Sequence, residues 1–175
     1  MVSLPPVQAR PDQPLPDSGP FLRVFWGVEE PSTVMLRAAH GFIALLRVVY
    51  DESRDVPETV QEQLFWMTFM IDREAAVHTR EIAVDTDTPV NPSSYGEMVS
   101  WLAWTYMLCA FRQNDPEHRD RDAAALLAHC RAFDQLAADV RAGTVQLPAK
   151  ATGVLPPRTV RPASHTSDAH GEADR

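Results

Sequence analysis

From Val34 to Tyr50 the apolar residues Val34, Met35, Ala38, Phe42, Ile43, Leu45, Leu46, Val49 and Tyr50 fall on a wide helical arc. That arc exceeds the single stripe a core-facing helix needs. Pro31 suits the first helical turn, where its missing N–H would be unpaired anyway, and Glu29 and Glu30 put negative charge at the positive helix end. A first helix is therefore predicted from about Pro31, with Arg47 and Asp51 spaced i,i+4 at its exit. Gly41 in its middle either weakens it by ~1 kcal/mol relative to Ala or lets a neighbour approach closely. A second helix is predicted from Pro57-Glu58 to about Val84. Val60, Leu64, Met67, Ile71, Ala75, His78 and Ile82 follow the 4-3-4-4-3-4 spacing of one buried seam. The breaker-rich run Asp85-Thr-Asp-Thr-Pro-Val-Asn-Pro ends it.

Ser94, with Glu97 three residues on, is a capping-box signal for a third helix. From Met98 to Phe111 that helix is apolar nearly all round, the mark of a helix covered on every side. Asp115-Pro116-Glu117 then supplies a cap, a first-turn proline and a dipole-favourable acid for a fourth helix. Leu126, Cys130, Phe133, Ala137 and Val140 line its inner face, and Gly143 is a natural left-handed C′ residue. Strand-like runs are confined to Phe21–Trp26 and the exit Thr144–Leu147. The expected fold is all-α, a bundle of about four helices with disordered or extended arms at both ends.

Proline sharpens the boundaries. Pro5, Pro6, Pro11, Pro14, Pro16 and Pro20 crowd the start, and neither end of the chain carries a hydrophobic period. Such segments bury too little apolar surface to offset their ordering entropy. The expected division is a Pro-rich flexible arm over 1–20, a helical bundle over 21–148 and a flexible tail over 149–175. A net charge of −8 without a basic stripe argues against sequence-specific nucleic-acid binding. Arg112, Arg119 and Arg121, interleaved with Asp115, Glu117, Asp120 and Asp122, read as a solvated helix start. Cys109 and Cys130 lie in apolar helical segments and are expected as free thiols in a reducing cytoplasm, with a disulfide between them as the rarer alternative. No secretory signal pattern opens the chain. Met98–Phe111 is too short for a bilayer, which needs ~20 residues, so no membrane partner is expected.

Candidate chemistry is sparse. Glu74, His78 and Glu81 share one helix face with metal-ligand spacing, but a di-iron bundle needs a second Glu-x-x-His and further acids. The nearest second set, Asp115-Pro-Glu-His118, sits at a helix start and reads as exposed. The competing reading pairs Glu74 and Glu81 with Arg73 and Arg80 and makes His78 a core-edge residue. His129 and Cys130 are adjacent, and neighbouring helical side chains point ~100° apart, so they form no nucleophile–base pair. No Gly-rich phosphate loop, Gly-x-Ser-x-Gly or Cys-x-x-Cys is present. The chain therefore reads as non-enzymatic, with no cofactor. Trp66, Trp101, Trp104, Tyr106 and Phe111 read first as core. Phe65, Trp66 and Phe69, however, lie beside the seam of their helix. With the broad arc of the first helix they exceed what one small bundle covers, which points to self-association or a protein partner.

From Pro57 to Pro148 the layout resembles the small head-to-tail connector (adaptor) proteins of tailed bacteriophages and prophages. The matching residues are Ile71-Asp72 through Ile82, the loop Pro89–Pro92, the apolar helix Val99–Phe111, and the ending Leu136-Ala-Ala-Asp-Val140-Arg-Ala-Gly143-Thr-Val145-Gln-Leu147. Residues 21–56 and the proline-rich leader depart from the pattern. The resemblance implies a structural adaptor without turnover, assembled as a ring between the portal and the neck or tail components. It sits in the cytoplasm during assembly and in the virion neck afterwards. It also implies Gly143, Val145, Leu147 and the C-terminal arm as portal contacts, with Trp66 and Phe69 as further interface residues. Two other functions stay open: a helical accessory protein dimerising through the first and third predicted helices, and a metal-dependent bundle enzyme using Glu74, His78 and Glu81.

Overall fold

The four predicted helices form, and a fifth precedes them. The computed structural model describes residues 5–51 and 56–152. In chain order the helices are α1 (Ser18–Phe25), α2 (Val34–Asp51), α3 (Glu58–His78), α4 (Tyr95–Phe111) and α5 (Arg119–Arg141). The chain is all-α; among the described residues the sole β-type pairing is a parallel bridge between Val90 and Gln146.

Helix α4 is the hub, packed by α1, α2, α3 and α5. Its all-round apolar sequence demands that position. Val99, Leu102, Ala103, Trp104, Met107 and Leu108 are buried on its different faces, each large side chain worth ~1.5–3 kcal/mol when removed from water. The predicted capping box is present: Ser94 Oγ accepts from the Glu97 N–H, and Glu97 Oε2 accepts from the Ser94 N–H at 2.7 Å. At Gly96 the backbones of α3 and α4 nearly touch. A Cβ there would sit 2.5 Å from the Thr68 carbonyl oxygen, and the Gly96 N–H donates to Asp72 Oδ1 at 2.6 Å.

Several boundaries differ from expectation. The strand-like run Phe21–Trp26 is helical. Asp17 caps α1 by accepting from the Gly19 N–H, and Gly27, at φ +70°, ends it. Phe21, Val24 and Phe25 then face inward at helical spacing. Helix α2 begins at Val34 rather than Pro31, because Thr33 Oγ1 takes the Leu36 N–H as a cap. Helix α3 stops at His78, short of Val84, where Thr79 caps its carbonyls. Gly143 is the expected C′ residue at φ +72°. Its N–H donates to the Val140 carbonyl and the Thr144 N–H to the Asp139 carbonyl, the paired bonds of a Schellman motif.

The proposed division at residue 20 falls inside α1, and the described part of the Pro-rich segment is extended but held. Leu15 is fully buried. Gln8 and Ala9 donate their N–H groups to Glu74, and the Arg73 guanidinium donates to the Pro5 carbonyl. Prolines forbid helix there, yet an extended strap still buries apolar surface when a groove receives it. At the other end the chain is tied back beyond Pro148, where Thr152 Oγ1 donates to Glu97 Oε1 at 2.7 Å. Residues 153–175 of the expected tail lie outside the described residues.

Candidate interaction surface

Helix α3 carries more apolar residues than its inward face accommodates. Val60, Leu64, Thr68, Ile71 and Ala75 are buried, which uses up the seam, and Met67 and Ile82 pack at its edge. Phe65, Trp66 and Phe69 therefore turn outward, 54%, 49% and 38% exposed. They form one cluster. The Phe65 and Trp66 rings are 6.3 Å apart and the Trp66 and Phe69 rings 5.6 Å apart, both edge-to-face, a geometry favoured by the ring quadrupoles. Glu62 and Glu58 stand exposed about one and two turns before Phe65 on the same helix. The other exposed large apolar residues are Trp26, Val28, Val84, Val90, Phe111 and Leu127, of which Trp26 packs edge-on against Tyr106. Phe111 is also partly screened by Tyr50 and by the Arg47 guanidinium above its ring.

The other predicted interface residues are spent within the chain. Gln146 donates to the Pro89 carbonyl and accepts from the Asn91 N–H, both at 2.8 Å. That pairing draws Val145 and Leu147 onto the core as partly buried residues. Gly143 lies against the Ala83 carbonyl. The exit segment is thus a clamp between the α3–α4 loop and α5. A dimer built on the first and third predicted helices meets the same obstacle, since α4 is already covered on its faces.

The residues with metal-ligand spacing are not brought together. Glu74, only 2% exposed, accepts from the Gln8 N–H and from the Ala9 N–H at 2.7 Å. His78 Nδ1 lies 2.9 Å from the Gln13 carbonyl. Glu81 is exposed beyond the end of α3. The proline strap has claimed the first two, and the helix ended before placing the third. Asp115, Glu117 and His118 do cluster, with possible ligand atoms within 4.8 Å of one another. Their bonds are those of a helix entry: Asp115 Oδ1 accepts from the Glu117 N–H, and Asp115 Oδ2 pairs with His118 Nδ1 at 2.6 Å.

Nucleophilic chemistry has no support from the surroundings either. Burial pushes the Cys130 thiol pKa up, which disfavours thiolate, and burial pushes His129 down. Cys109 and Cys130 are both free. Arg112, read from sequence as solvated, is instead half of a buried fork. Its Nη2 donates to Asp122 Oδ1 at 2.8 Å, and its Nε lies 2.7 Å from Oδ2 as an ion-pair contact outside hydrogen-bond geometry, joining the end of α4 to the start of α5. No helix among the described residues is long and apolar enough to cross a membrane. Phe65, Trp66 and Phe69, with the acids Glu58 and Glu62 beside them on α3, remain as an exposed three-ring cluster. No family model, no curated protein and no solved structure matches the chain.

Proposed function

We propose that this protein acts by binding other protein chains, without turnover, as a structural adaptor in the neck of a tailed phage or prophage particle. In this reading copies assemble as a ring and join the portal of the head to tail or neck components. The observation that carries the binding role is the exposed Phe65–Trp66–Phe69 cluster. Edge-to-face aromatics at the centre of a polar helix surface are the composition of interface hot spots, and a monomer gains nothing from leaving them in water. The phage setting comes from the Val99–Phe111 helix and the Leu136–Leu147 ending.

The deciding experiment replaces Trp66 and Phe69 with Ser in the chain supplied to assembling particles. These side chains leave the core intact, so the melting temperature should stay near that of the parent. Incorporation into particles should be lost, and tails should fail to join. Normal incorporation of the double variant would refute the role of this surface. Leu147→Asp is a poorer probe, because Leu147 packs on the core and its loss would disturb folding as well as docking.

A further inference from the structure

We infer that the aromatic cluster of α3 docks on the outer face of α5 in a second copy of this chain, so that copies join head to tail. The inference rests on the reading of that cluster as a protein-binding surface and names its partner. Two faces of the molecule carry exposed charge of opposite sign beside exposed apolar side chains. On α3, Glu58 and Glu62 share the outward side with Phe65, Trp66 and Phe69. On α5, Arg131 stands exposed one turn after Leu127, itself 51% exposed. Glu58, Glu62 and Arg131 make no hydrogen bond or ion pair among the described residues. Helices α3 and α5 each pack on α4 and not on each other. One copy therefore cannot cover its cluster with its own α5, whereas a second copy can.

The two faces match in register. With the helices antiparallel and Glu62 level with Arg131, every step forward along α3 is met by an equal step back along α5. Phe65 and Trp66 follow Glu62 by three and four residues, and Ala128 and Leu127 precede Arg131 by three and four. Phe69 and Ala124 each lie seven residues, ~10 Å, from the charged pair. Every ring thus comes level with an alanine or a leucine, and large side chains against small ones let facing helices interlock at roughly 8–10 Å. Eleven residues from the first pair, Arg73 and Asp120 are level and again opposite in sign. The parallel arrangement lacks this match: it sets Phe65 level with Asp134 and Trp66 level with Gln135. Because the contact joins two different surfaces, it propagates from copy to copy, closing as a ring or growing as a filament.

Sedimentation velocity on the full chain, over a concentration series, tests this. The parent should associate as its concentration rises. Glu62→Arg and Arg131→Glu should each weaken association about tenfold, because like charges then face each other across the contact. Both side chains are exposed, so the circular dichroism of each variant should match the parent. Mixing the two variants should restore association, since the α3 face of each then meets a complementary α5 face on the other. In Arg131→Lys, carbodiimide should couple position 131 to Glu62, and a mixture of isotopically light and heavy chains should give links of mixed mass. A chain that stays monomeric would overturn the inference. So would variants that associate like the parent, a mixture no stronger than its components, or links confined to one chain. The adaptor role fails separately. If copies do not meet at this contact but Trp66→Ser with Phe69→Ser still abolishes incorporation into particles, this inference falls and a different protein is the partner. If they do meet here and that double variant is incorporated normally, the inference stands and the adaptor role of the surface falls.

Discussion

Asp72 shows how one residue can carry a cost that its position requires. Its carboxyl is pushed above the ordinary carboxylate range by burial and, less, by the charge of Glu97, against the Gly96 N–H and Ser94 hydrogen bonds that pull it down. A native acid with a raised pKa binds its proton more tightly than the unfolded chain does. Stability therefore falls as pH rises from ~3.9, the unfolded value, through the native value, and the full penalty applies above it. Asn keeps an acceptor for Gly96 without the charge. Asp72→Asn should thus be more stable than the parent at pH 7, with the difference vanishing below about pH 3.9, as followed by urea denaturation at both pH values. A less stable variant at pH 7 would reverse this assignment of dominance to burial. The Arg112–Asp122 fork calls for the opposite design. Arg112→Met leaves the buried Asp122 carboxylate with only the exposed Arg121, 3.8 Å away, and should cost about 3 kcal/mol, while Asp122→Leu added to it should recover most of that loss. Equal instability of the single and double variants would mean the fork is not the source.

At the scale of elements, the close approach of α3 and α4 depends on a missing side chain. Ala at position 96 improves local helix propensity by ~1 kcal/mol, but its Cβ meets the Thr68 backbone carbonyl, which has no rotamer with which to move away. Gly96→Ala should therefore destabilise by about 1–3 kcal/mol net, the usual cost of forced overpacking, and thermal unfolding would show it. The helices themselves were legible because their signals are local: the Ser94–Glu97 box, the α3 seam and Gly143 all act within four or five residues. Helix α1 was legible in principle. Asp17 before it, Gly27 after it and Phe21, Val24 and Phe25 at i, i+3 and i+4 are its signature. Pro20 and the run Phe-Leu-Arg-Val-Phe-Trp masked it, since a short apolar run suits strand and helix alike.

For the whole molecule, the decisive feature is the proline strap. It joins α3 through Glu74, Arg73 and His78 and α2 through Gln8, whose side-chain oxygen accepts from the Val34 N–H at 2.9 Å. Tyr95 completes the anchorage by donating its hydroxyl to the Pro16 carbonyl at 2.5 Å. It also packs with Phe21 and Phe133 as a three-ring cluster between α1, α4 and α5. Glu74→Gln sacrifices the charge and one acceptor of the N–H pair. It should cost about 1–2 kcal/mol, and amide exchange at Gln8 and Ala9 should quicken far more than in α4. Unchanged exchange at those two amides would mean that Leu15 and Tyr95 alone hold the strap.

Helical periodicity, caps and breakers settled from sequence alone that this chain is helical, roughly where four helices lie, and that α4 must be central. They also settled that α3 bears three aromatic rings beside its seam. Only the tertiary structure decided what those side chains meet. Glu74 and Gln8 are 66 residues apart, and Asp134 holds the Ser18 N–H from 116 residues away. Contacts at such separations leave no periodic trace, because they depend on where whole helices come to rest. Metal-like spacing on α3 therefore became a socket for the strap, and the Gly143–Leu147 exit became a clamp. The cluster at Phe65, Trp66 and Phe69 stayed outside for the same reason: the inward places on α3 were already filled.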